Sequence, residues 1–204
     1  MSKKIVEDLL SPEKLEAEIN KHKIEAEVLP HLGANLASFK VDGRELIYFS
    51  RERLLQQDFY SGCFMMFPTP CRLTGAKYTF AGKKIRQIKY GKDVFIHGLI
   101  RDETFAVARD GANLVCSIEI GKGHPVYEGY PFDCKLTLTF TLVQRGLEIK
   151  FKYENTGQQR APFGYGLHPF WQIPDERKDV FIQVPCKYVL ELEDLIPTGK
   201  IKSS

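Results

Sequence analysis

The sequence contains no C-x-x-C pair. Its five cysteines, Cys63, Cys71, Cys116, Cys134 and Cys186, are scattered along 204 residues. That spacing argues against zinc ribbons and thioredoxin-type redox motifs. No G-x-G-x-x-G and no P-loop occur, which disfavours nucleotide-binding folds. No G-x-S-x-G nucleophile elbow is present, so a Ser–His–Asp triad is not identifiable. No two histidines have H-x-x-x-H spacing, and no metal site is expected. Apolar runs are only a few residues long, far short of the roughly 20 needed to span a membrane. The net charge of +3 is too small to single out nucleic acid or a membrane surface as a partner. The opening MSKKIVEDLLSPEKLEAEI is too charged for an export signal. An odd number of cysteines without such a signal fits a reducing cytoplasm, the expected location.

What is present is a soluble composition, 43% hydrophobic and rich in aromatics, long enough for one sizeable core. One stretch reads as helix. Ser11 is placed to cap it, Pro12 suits its first turn, and Leu10, Leu15 and Ile19 fall on one face. Residues 1–22 are therefore expected to be a short N-terminal helical extension. From residue 23 to 204 the chain reads as strands. KIEAEVL (23–29) alternates Ile24, Ala26 and Val28 with charges, and NLASFKV follows it. Asp42-Gly43 then marks a hairpin turn into RELIYF. LTLTFTL (136–142) alternates apolar residues with threonine, and LEIKFKY (147–153) does so with charges. Such alternation gives each strand one buried and one wet face. Many strands separated by Gly, Asp, Asn and Pro turns imply an all-β, antiparallel sandwich or barrel. No linker and no internal repeat appears, so residues 23–204 are expected to form one domain.

Proton-transfer chemistry points first to histidine, whose reference pKa of about 6.5 lies near neutrality. His22 sits among lysines and reads as solvated. His31 follows Pro30 at a strand end, and His124 lies in the glycine-rich loop GKGHPVYEGYP. His97, in FIHGLIRD, and His168, in GYGLHPFW, adjoin glycine or proline and aromatics. Glycine permits close backbone approach to a ligand, and Phe95, Phe170 and Trp171 offer apolar faces for a sugar ring. Packing alone would also account for each histidine. In GCFMMFPTPCRLTG, Phe64 to Phe67 read as buried and Arg72 emerges after Pro70. That arginine suits hydroxyl or carboxylate oxygens, or equally an internal ion pair.

Taken in order, FPTPCRLTGAKYTFAGKK, IHGLIRD, YPFDCKLTLTFTL, ENTG and APFGYGLHPFW resemble the aldose 1-epimerase (galactose mutarotase) family, and GANLASFKVDGRELIY resembles its opening strands. The resemblance runs over roughly residues 23 to 202. It implies a large antiparallel β-sandwich of the galactose mutarotase type. It implies an isomerase that interconverts the α- and β-anomers of free hexoses without a cofactor. A base takes the C1 hydroxyl proton, an acid protonates the ring oxygen, the ring opens, C1–C2 rotates and the ring recloses. Matched position by position, the resemblance makes His168 the acid, His97 the histidine that hydrogen-bonds the sugar, and Arg72 a sugar-binding residue. Cys71 stands where the family often has asparagine and cannot make the same hydrogen bonds. The family's base is a glutamate in a late strand, well past the IPTGKI motif, and it is expected beyond Ser204. Glu191, Glu193 and Asp194 precede that turn and are not assigned the role. Two further readings stand beside this one. A hexose 6-phosphate epimerase would use Lys83, Lys84, Arg86 and Lys89 for phosphate. A non-catalytic carbohydrate-binding module would keep Arg72 and His97 without a base.

Overall fold

Alternation with a period of two governs the architecture, because it lets a strand bury one face and solvate the other. The computed structural model describes residues 10–57, 59–173, 178, 180, 181, 183 and 185–203. In chain order the strands are β1 (Glu13–Ile19), β2 (His22–Leu29), β3 (Asn35–Val41), β4 (Arg44–Glu45), β5 (Cys63–Met66), β6 (Lys77–Phe80), β7 (Lys83–Arg86), β8 (Ile88–Lys89) and β9 (Lys92–Asp93). There follow β10 (Ala106–Asp110), β11 (Asn113–Ile120), β12 (Cys134–Val143), β13 (Gly146–Asn155), β14 (Gly166–Pro169), β15 (Tyr188–Glu193) and β16 (Ile196–Ser203). A short helix, α1 (Arg51–Gln57), precedes β5.

The strands form antiparallel sheets. The largest has the order β1-β2-β3-β5-β14, with β4 pairing β3, and a second has the order β10-β11-β12-β13. In β12, Cys134, Leu136, Leu138 and Phe140 are buried while the intervening Lys135 and threonines are only partly so. In β11, Leu114, Cys116, Ile118 and Ile120 are buried in the same way. These side chains join Leu15, Ala26, Val28, Leu36, Cys63 and Met65 from the first sheet in one apolar core. Phe64 to Phe67 are all buried, as their sequence suggested. The β12–β13 hairpin turns through Gln144 and Arg145, with Val143 paired to Gly146. The β3–β4 turn carries Asp42 and Gly43 at φ of 50° and 79°, the left-handed geometry of a two-residue hairpin.

The expected N-terminal helix is not found where it can be checked. Residues 13–19 are β1, paired along their length with β2 from Glu13↔Val28 to Ile19↔His22. They belong to the first sheet and are not a helical extension; residues 1–9 lie outside the described residues. The physical reason is in the pattern. Leu15, Ala17 and Ile19 alternate with glutamates, and Leu15 is buried in the shared core. Leu15 and Ile19 satisfy both periods, but Ala17 fits only the strand. The helix α1 is preceded by Ser50, whose Oγ accepts a hydrogen bond from the Arg53 amide at 3.2 Å. That is an N-cap, followed by good helix formers.

Candidate active site

The site is assembled where β14 joins β5. Their register sets His168 opposite Phe64. Within 166–170, alternation turns His168 and Phe170 to one side, while Leu167 and Pro169 are exposed on the other. The His168 ring stacks on Phe64 at 4.7 Å between centroids with planes 13° apart. Phe170 stacks at 5.0 Å from the imidazole. Phe64 itself is 2% exposed, so His168 rests against a fully buried ring. Glycine is required beside it, since a Cβ on Gly166 would come within 2.8 Å of Met66 and 2.9 Å of Pro70.

His97 arrives from a different part of the chain. The segment around it is bound to the Phe67–Leu73 stretch by backbone hydrogen bonds. The Leu99 amide donates to the Phe67 carbonyl (2.7 Å), the His97 amide to Cys71 (3.4 Å) and the Leu73 amide to Phe95 (2.8 Å). His97 has φ of 65° and Gly98 has φ of 74°. A Cβ on Gly98 would lie 2.1 Å from the Phe67 carbonyl oxygen, so only glycine lets the two strands of backbone approach this closely. The reversed backbone delivers the His97 ring to His168, with centroids 4.8 Å apart and planes at 77°. The ring also meets Phe64 edge-on at 5.5 Å.

Arg72 is placed by the same pairing. It is bridged to Ile96, one residue before His97, and its side chain is exposed. The two histidines and Arg72, far apart in sequence, are thus brought together. Arg101 joins them and was not singled out by the sequence reading. Its guanidinium lies over the Tyr60 ring at 4.3 Å, a cation–π contact. Its signal was present: it lies in the same IHGLIRD segment that carries His97.

Burial holds the His97 pKa down at about 4, reinforced by the positive charges of His168, Arg101 and Arg72. Burial also lowers that of His168. Both rings are therefore neutral at neutral pH. Each Nδ1 is buried without a side-chain or backbone hydrogen bond from a neighbouring residue. A pair of neutral imidazoles can donate and accept hydrogen bonds and pass a proton to an adjacent oxygen. Among the described residues no cluster of three or more His, Cys, Asp or Glu is arranged to hold a metal ion.

The remaining sequence candidates sit elsewhere. Arg86 makes a fork onto Asp93, with Nε–Oδ1 at 2.6 Å and Nη2–Oδ2 at 3.0 Å. Lys83 bonds Gln159 at 3.3 Å, and Lys89 is buried. Lys83, Lys84 and Arg86 are exposed on β7, whereas Lys89 is turned inward. Glu191 is engaged by Lys202 at 2.6 Å on the β15–β16 hairpin. His22 bonds Asp42 at 2.6 Å on the surface. His124 caps a 3₁₀ turn, its Nδ1 accepting from the Val126 amide at 3.2 Å.

The fold has solved counterparts. The Slr1438 protein of Synechocystis sp. PCC 6803 superposes with a TM-score of 0.69 at 22% identity, over 95% of this chain and 64% of that one. A galactose mutarotase-like protein of Clostridium acetobutylicum gives 0.74 at 17% identity, over 94% and 65%. The galactose 1-epimerase of Lactobacillus acidophilus NCFM gives 0.68 at 16%, over 95% and 63%. In sequence, the uncharacterized protein YihR of Escherichia coli K12 is 23% identical over 134 residues, 64% of this chain and 42% of YihR. The chain thus spans less than two thirds of these relatives. The profile of the aldose 1-epimerase family matches residues 17–204. With nearly the whole chain covered by that match, the protein belongs to the aldose 1-epimerase family.

Proposed function

We propose that this chain supplies the sugar-binding surface and the proton-donating histidine of an aldose 1-epimerase acting on free hexoses. The observation that carries the reading is the facing of His97 and His168 over a buried phenylalanine, beside Arg72. In this reading the two larger sheets are the layers of a mutarotase-type β-sandwich, a view supported by their common core.

His168 would present Nε2–H to the ring oxygen of a pyranose. As the C1 hydroxyl loses its proton to a base, the ring oxygen gains one from the imidazolium form of His168, which reverts to the neutral imidazole, and the bond between C1 and the ring oxygen breaks to leave an open-chain aldehyde. Rotation about C1–C2 and reclosure with the transfers reversed give the other anomer. His97, kept neutral by its surroundings, would hydrogen-bond the sugar and fix the ring oxygen opposite His168. Arg72 would bind hydroxyl oxygens. Phe64 and Phe170 exclude water from one side of the acid, where low polarity strengthens each hydrogen bond. The charged groups that act on His97 are all cationic. The base is therefore assigned to a carboxylate outside this cluster. One such positioned proton transfer is typically worth about 10²–10⁴-fold in rate.

The same cations favour a second reading, in which the preferred sugar carries an anionic group. Arg72 and Arg101 both lie close enough to His97 to depress its basicity, and guanidinium forks suit phosphate or carboxylate.

Polarimetry of freshly dissolved α-D-galactose, α-D-glucose and α-D-glucose 6-phosphate tests these readings. Faster mutarotation that His168→Ala abolishes is expected, in this chain or in a form extended at its C-terminus to supply the base. Calorimetric binding of the sugars without acceleration in both forms would overturn the enzyme reading in favour of a carbohydrate-binding module. A preference for the phosphorylated sugar would select the second reading.

A further inference from the structure

One buried charge cluster lies directly behind the site and belongs to none of the roles above. Lys89, at the end of β8, is 7% exposed. A lysine is rarely placed there unless its ammonium is fully partnered. Its Nζ donates to the Leu99 carbonyl at 3.0 Å and to Asp102 Oδ1 at 2.5 Å, and it is ion-paired with Glu103 Oε1. Glu103 is 8% exposed, and its other oxygen lies 3.7 Å from His124 Nε2. All three partners of Lys89 lie within residues 99–103, the turn that follows His97 and contains Arg101.

The turn has other anchors. The Glu103 amide donates to the Ile100 carbonyl (3.1 Å), and the Gly33 amide donates to the Glu103 carbonyl (2.8 Å). Both of these involve Glu103, while the Leu99 amide bond to Phe67 holds the other end of the turn. Among the described residues, only the Lys89 ammonium ties Leu99, Asp102 and Glu103 to a single point, and so sets how the segment between them is presented. Resting on the proposed epimerase reading, we propose that Lys89 is a positioning residue. It holds the 97–103 segment from inside, so that His97 faces His168 and Arg101 stays near His97.

The groups around His97 define what a loosened turn would change. They are His168 from β14, Arg101 from the turn itself and Arg72 from the paired segment. Release of the turn would admit water to His97 and let Arg101 move away. Both changes favour the imidazolium, so the His97 titration should move up.

The test compares the unmodified chain with Lys89→Met, Lys89→Arg and Asp102→Asn. Imidazole resonances of His97 and His168 are followed by NMR against pH, and thermal melting is recorded in parallel. The expected result is a His97 midpoint raised by about one pH unit in Lys89→Met and Asp102→Asn, with Lys89→Arg restoring it. A folded Lys89→Met or Asp102→Asn protein whose His97 titrates as in the unmodified chain overturns the proposal. Should Lys89→Met fail to fold because Glu103 is left buried and unpaired, Asp102→Asn decides, since that carboxylate is partly exposed. Where mutarotation is measurable, Lys89→Met should lower kcat by about 10²-fold through misplacement, and Lys89→Arg should recover it. Absence of mutarotase activity both in this chain and in a form extended at its C-terminus would sink the epimerase reading, while the titration would still decide the role of Lys89.

Discussion

His97 and His168 face one another almost at right angles, 4.8 Å between ring centres, and His168 adds to the burial that depresses the basicity of His97. A positive charge on one imidazole opposes a charge on its neighbour. In His168→Ala that opposition disappears and solvent gains access to His97. The His97 midpoint is expected to climb from about 4 toward the ordinary histidine range. NMR titration of the variant checks this; an unmoved midpoint would refute the coupling.

Stability should depend on pH with a defined sign. In the unfolded chain His97 takes up its proton near the ordinary histidine value of about 6.5, while in the folded protein it does so only at about 4. Between those values the unfolded state binds more protons, so stability falls as pH drops through this window and levels off below it. His168, also lowered, adds a slope of the same sign. Urea unfolding at several pH values should show the decline. His97→Asn, which tolerates the left-handed backbone, should flatten part of it.

Gly98→Ala should be strongly destabilising. The added methyl would meet the Phe67 carbonyl at 2.1 Å, and φ of 74° disfavours any L side chain. A loss of about 2–4 kcal/mol is expected in chemical denaturation. The pairing of Phe67 with Gly98 should open with it, carrying His97 away from His168. A variant with unchanged stability would show that the two backbones separate at no cost.

Arg101→Ala should separate neutral from anionic sugars. If the guanidinium faces an anionic group, calorimetric affinity for a hexose 6-phosphate should fall by more than tenfold, as expected for a lost charge-assisted hydrogen bond. Affinity for the free hexose should change far less. Equal losses for both would remove the anionic preference and return Arg101 to its contact with Tyr60.

Much of the sheet structure was legible because period-two patterns are local. NLASFKV is β3 to the residue, and the two long alternating runs are the cores of β12 and β13. The error at residues 11–19 arose where local capping signals at Ser11 and Pro12 competed with a strand period that Ala17 alone settles. Helix α1 was missed because RERLLQQ buries no side chain and so has no apolar stripe to read. His97, His168 and Arg72 could be named from their neighbours. Arg101 and Lys89 could not, since their roles come from which segments lie beside them. Lys89 in particular sits in a run of cations that reads as a wet surface, yet its partners lie ten or more residues on, in the turn it supports.

The strand that replaced the expected helix has a consequence for how molecules meet. β1 forms one rim of its sheet and would offer an open row of amides and carbonyls to a neighbour. Arg109 reaches over from β10 to clasp it, bonding Glu13 at 2.7 Å and the Lys14 carbonyl at 3.0 Å. Glu16 and Glu18 stand along the remainder of the rim. A second copy aligning there would have to displace the clasp and set carboxylate against carboxylate, so this border discourages fibre-like stacking of one protein upon another.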